Sequence, residues 1–119
     1  MDEATAKGLA DTIRETAFRI HHYLGPGHLE KVYENALYHR LKKAGIGGVR
    51  QHPLVVLDED DTVLGEYFAD LLVVEEMIVE LKACKALAEE HLAQIFGYLR
   101  ESRRAHGILV NFGAARLEI

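Results

Sequence analysis

The sequence predicts an α/β domain with helices flanking a central mixed sheet, in the order α-α-β-β-β-α-β. Two observations lead there. The hydrophobic period changes three times along the chain, from helical spacing to extended apolar runs, back to helical spacing, and then to one last short apolar run. The second is size: 119 residues, 49% hydrophobic and 28% charged, suit one core and therefore a single domain over 1–119.

Leu9, Ile13, Ala17, Ile20 and Leu24 step by three and four, the spacing of one helix face, and Gly25-Pro26-Gly27 stops that helix. Leu29, Tyr33, Leu37 and Leu41 repeat at four, so a second helix follows and runs out at Gly45, Gly47 and Gly48. The run "VRQHPLVVL" is β-branched and apolar, "DEDD" is a polar turn, and "TVLGEYFADLLVV" returns as a strand. Pro53 suits an edge position or a bulge. "MIVELKA" is the third strand. Ala88, Leu92, Ile95 and Leu99 restore helical spacing to about Arg104, and "HGILVNFG" is a final buried strand. Repeats, linkers and low-complexity segments are absent from the sequence.

Composition narrows the function classes. Fourteen basic against 19 acidic residues give a formal charge of −5, which argues against tight, non-specific nucleic-acid binding through the whole surface. The single cysteine, Cys84, has no internal disulfide partner and no zinc-type spacing, which suits a reducing compartment. Apolar runs are only strand-length and the first residues are acidic and amphipathic, so neither a membrane span nor a secretory signal is expected, and the cytoplasm is.

Within the second and third strands lie three charges that a core-facing strand does not ordinarily carry. Alternation puts Phe68, Asp70 and Leu72 on one side of the second strand and Ile78, Glu80 and Lys82 on one side of the third. An unpaired buried carboxylate costs several kcal/mol or is neutralised. Asp70 and Glu80 meet only if the intervening turn has an odd number of residues or a strand is bulged; a two-residue Glu75-Glu76 turn separates them. If they meet, their oxygens suit a hard divalent cation, magnesium or manganese, with Lys82 able to orient its water or stabilise phosphate charge. A partly exposed ion pair of Lys82 with either acid is the plainer alternative.

Asp70 followed by Glu80-Leu81-Lys82 resembles the D…(D/E)XK core of the PD-(D/E)XK nuclease superfamily. In "LGPGHLEKVYENAL", Gly27, Glu30 and Tyr33 match the GxxExxY signature of a small prokaryotic family placed within it. The similarity continues through "VELKA", "HLAQIFGYL" and "GILVNFG", covering essentially the whole chain. The resemblance implies a restriction-endonuclease-like core, magnesium or manganese on Asp70 and Glu80, Lys82 assisting the attacking water, and hydrolysis of DNA or RNA phosphodiesters. It implies further that Glu30 completes the site, with Glu34 one turn later as a substitute, and that Gln94 and Tyr98, in a Q-xxx-Y arrangement, line it.

The residues themselves leave alternatives to several of these roles. Glu30 with Tyr33, and Gln94 with Tyr98, share helix faces, but Tyr33 also belongs to an apolar stripe and Glu30 suits any first helical turn. His91, one turn before Gln94, is either near the site or an ordinary surface or core histidine. Arg100, Arg103 and Arg104, with Lys42 and Lys43, are the basic clusters, at places where cations also favour a helix C-terminus. The competing reading for the whole chain is a catalytically silent nucleic-acid-binding or protein-interaction module, with a homodimer as one assembly.

Overall fold

Asp2 opens the first helix by accepting the Thr5 backbone N–H at 2.7 Å, satisfying one of the amides that a helix N-terminus leaves unpaired. In the computed structural model, which describes residues 1–119, this helix, α1, spans Glu3–Leu24. Ile13, Ala17 and Ile20 of the expected stripe are fully buried. Gly25 stops the helix at φ 71°, a conformation that favours glycine, and donates its N–H to the His21 carbonyl.

The Gly-Pro-Gly corner is held from the core. The Tyr33 hydroxyl donates to the Gly25 carbonyl and accepts the His28 amide, while its ring stacks on Phe112 with centroids 4.6 Å apart. That anchor fixes where α2, Glu30–Lys43, begins. Leu29, which the spacing places at the head of the apolar stripe, is instead the residue before the helix and is exposed.

The strands are β1 (Gly48–Leu57), β2 (Val63–Val73) and β3 (Met77–Lys82); after α3 (Glu89–Ser102) comes β4 (His106–Asn111). The expected α/β order is therefore the observed one. Arg103 adopts a left-handed conformation (φ 56°) and ends α3 slightly before Arg104. Sheet order is β1-β2-β3-β4, antiparallel except for the parallel pair β3–β4, which needs a crossover and uses α3 for it. Pro53 does lie on an edge strand, β1, and a register irregularity follows at Val56 and Leu57.

Both sheet faces are covered. On one, α1 and α2 pack over Leu71, Val73, Val79, Leu81 and Val110; on the other, Ile95 and Tyr98 of α3 pack over Leu72, Ile78 and Leu109. Contact there is close: a Cβ added to Gly107 would stand 3.1 Å from Ile95 and 3.3 Å from Leu99. None of the helices is long and apolar enough to cross a membrane.

One irregularity matters for function. β2 pairs with β3 only from Leu71 to Val73, whereas β3 continues beside β4 as far as Lys82 and β2 pairs with β1 back to Val63. The two strands therefore diverge, leaving a fork whose first residues are Asp70 and Glu80.

Candidate active site at a fork in the sheet

Val74, Glu75 and Glu76 separate the last β2–β3 pair, Val73 and Met77. That odd count is what face alternation requires for Asp70 and Glu80 to stand opposite each other. Positive φ at Val74 (53°) and Glu75 (61°) closes the turn. At the fork, side chains take over the role of the ladder: the Asp70 N–H donates to Glu80 Oε1 at 3.0 Å, and the Leu81 N–H donates to Asp70 Oδ2 at 2.8 Å. Each carboxylate is thus oriented by the backbone of the opposite strand.

Glu80 is 4% exposed. Burial first, and the adjacent Asp70 charge second, push its carboxyl up to about 8. Two carboxylates forced together in this way favour a bound proton or a bound cation. Lys82, two residues on along β3, donates from Nζ to Gln94 Oε1 on α3 at 3.0 Å, so its ammonium is held by a neutral partner.

Glu30 is the first residue of α2. It keeps contact with solvent, but partial desolvation raises its carboxyl; Lys82 opposes this, Asp70 and Glu34 add to it, and His91 opposes it. His91 is near enough to affect Glu30, but its ring accepts the Ala88 N–H through Nδ1 at 2.9 Å, capping the start of α3. Tyr98 is buried, and its hydroxyl is raised first by that burial and then by the charges of Glu80 and Asp70.

Glu34 and Tyr33 are placed differently. Glu34 is 4% exposed and tied to Lys31 at 2.8 Å and to Gln51 Nε2 at 2.7 Å. Tyr33 is a core residue whose hydroxyl is committed to the Gly-Pro-Gly corner. Gln51 escaped the sequence reading. Its amide bonds Glu34 and also reaches Asp70 Oδ1 at 3.4 Å, and its own φ is 54°. A polar residue inside "VRQHPLVVL" was the only signal, and its partners depend on pairing β1 to β2. Of the basic residues near the end of α3, Arg104 donates through Nε to the Glu75 carbonyl at 3.1 Å, bracing the β2–β3 turn.

The donor set fits a hard cation in a limited sense. Asp70 and Glu80 form a converging acidic pair, but no group of three or more His, Cys, Asp or Glu side chains is gathered as a metal cage. Magnesium commonly binds through one or two carboxylates and completes its shell with water. The chain belongs to the PD-(D/E)XK nuclease superfamily, matching it over residues 7–119. No curated protein and no solved structure gives a match to the chain.

Proposed function

We propose that this protein is a magnesium- or manganese-dependent phosphodiesterase acting on nucleic acid, with its centre at the fork between β2 and β3. The observation that carries the reading is the facing pair Asp70 and Glu80, each oriented by the other strand's backbone and crowded enough to raise Glu80 to about 8. Those two carboxylates would hold the cation, which when bound supplies Lewis-acid polarisation and a more acidic water.

The remaining roles fall to the chain's own groups. Lys82, held by Gln94, orients the attacking water and stabilises charge on the phosphate. Glu30 directs a water molecule beside the pair, a role supported by the influence of Lys82 and Asp70 on its carboxyl. Gln94 fixes the lysine rather than meeting the phosphate itself. Superfamily membership supports this chemistry, since nuclease chemistry is the property that names the superfamily.

The test pairs binding with turnover. Calorimetry with manganese should give binding that weakens strongly in Asp70→Asn and Glu80→Gln, because each loses a charged oxygen ligand at nearly constant size. Lys82→Ala should keep the metal and lose hydrolysis of single- and double-stranded substrates by about a hundredfold or more. Unchanged binding in both acid variants removes the proposed centre. Metal binding without hydrolysis of any substrate selects the catalytically silent module instead.

A further inference from the structure

Beside the fork, the β1–β2 ribbon and α3 border a cavity of about 310 Å³, at the small end of the range for small-ligand sites. Its lining includes Val56 and Tyr67 from the ribbon and Gln94, Gly97, Tyr98 and Arg100 from α3. Gln94 is the residue that holds Lys82 at 3.0 Å, so the cavity adjoins the lysine two residues along β3 from Glu80. Tyr67 is half exposed and meets Tyr98 at 5.7 Å between ring centroids, tilted by 43°, which leaves ring surface open to the cavity.

Gly97 points the same way. Glycine weakens a helix interior relative to alanine, so its place in α3 calls for a reason. Packing supplies none: an added Cβ would meet only the flexible end of Arg100, at 3.9 Å. What the missing side chain does is keep the cavity open. The combination is an aromatic face, a neutral amide, an apolar floor of Val56 and Ala93, and at the far end of α3 a guanidinium beside the Glu101 carboxylate, which, with the two acids of the fork, would repel an unshielded polyanion and leave Arg100 as the cation in the lining. It suits a flat heteroaromatic ring whose attached phosphate turns toward the arginine.

Resting on the phosphodiesterase reading and extending it to the substrate, we infer that this cavity receives one unstacked base of a single-stranded nucleic acid, with Tyr67 as its stacking platform and Arg100 on the neighbouring phosphate. A paired base has both faces covered by its neighbours and cannot enter, so the site selects single strands or frayed ends over intact duplex. The sequence hides this platform because Tyr67 and Tyr98 meet only in the fold.

The experiment is fluorescence anisotropy with a labelled thymidine oligonucleotide and a duplex of the same length, in calcium, which takes carboxylate oxygens but activates water poorly, so that binding is read apart from cleavage. Tyr67→Ala should weaken single-strand binding about tenfold, the loss of one base–aromatic stack, while Tyr67→Phe binds like the parent. Gly97→Leu, for which the backbone has room, should fill the cavity and match Tyr67→Ala. Duplex should bind more weakly and respond to none of the three. Equal single-strand binding in all variants overturns the inference. So does a parent protein that self-associates and becomes monomeric in Tyr67→Ala with no change in oligonucleotide affinity, which would assign the surface to a second copy of the chain. If the binding pattern holds but no substrate is cleaved, the base site stands and only the catalytic reading falls.

Discussion

Glu80 is a carboxylic acid placed where its charged form is disfavoured, and this has a measurable sign. Unfolded, it releases its proton near its ordinary value of 4.5; folded, it holds it up to about 8 because of burial and Asp70. Between those limits the folded state binds more protons than the unfolded one, so stability falls as pH rises through the window and is fully present below it. In the presence of a chelator, the parent protein should therefore lose more thermal stability than Glu80→Gln between pH 5 and 8.5. Manganese should restore stability at the upper end, because the cation takes the place of the proton. Parallel melting curves for parent and variant would show that Glu80 ionises freely. Tyr33 makes a different point at the same scale: it sits in a signature suggestive of function, yet its hydroxyl and ring work on the corner before α2.

Among the elements, the connection from β3 to α3 is what sets Lys82 against Gln94, and it is locked by the end of β4. Asn111 is fully buried; its amide donates to the Cys84 carbonyl and to Glu118, and its oxygen accepts the Cys84 and Gly113 N–H groups. Glu118 in turn accepts the Leu87 N–H at 2.9 Å. Asn111→Ala leaves several of these buried groups unpaired and should cost about 2–3 kcal/mol in urea denaturation. Gly113→Ala should be worse tolerated than an ordinary surface change, since the new Cβ would lie 2.4 Å from the Cys84 nitrogen. A wild-type denaturation midpoint in either variant would mean that the clasp does not hold the connection. Nothing local in "HGILVNFG" announced this role, because the Asn111 partners lie 27 residues back and seven ahead.

At the level of the whole molecule, a formal charge of −5 opposes a polyanion, and several cations are already engaged within the fold. Lys7 and Arg19 bridge acids on their own helix, Lys31 is spent on Glu34, Arg50 on Asn35 and the Tyr38 ring, and Arg104 on the β2–β3 turn. Lys82 and Arg100 are the cations at the fork and cavity. Oligonucleotide affinity should accordingly fall only gently with salt, with a log–log slope of roughly −1 to −2, as for one or two phosphate contacts. A much steeper slope would reveal a basic track elsewhere on the surface.

What the sequence determined by itself is whatever depends on local periodicity and short spacings. Helical stripes, strand alternation and glycine punctuation specified the element order, and the ten-residue interval from Asp70 to Glu80 specified that an odd turn would bring the two acids together. Three kinds of fact were left to the tertiary structure. The fork depends on how far β2 and β3 remain paired, which no single strand encodes. The bond from Gln51 to Glu34 and Asp70, and the approach of Tyr67 to Tyr98, join residues 17 to 31 positions apart through sheet pairing and helix packing. That Tyr33 belongs to the core, and Glu30 three residues earlier does not, depends on the orientation of α2, which is set by the Gly-Pro-Gly corner and Phe112 rather than by the helix's own pattern. Periodicity tells which side chains share a face; only packing decides what that face meets.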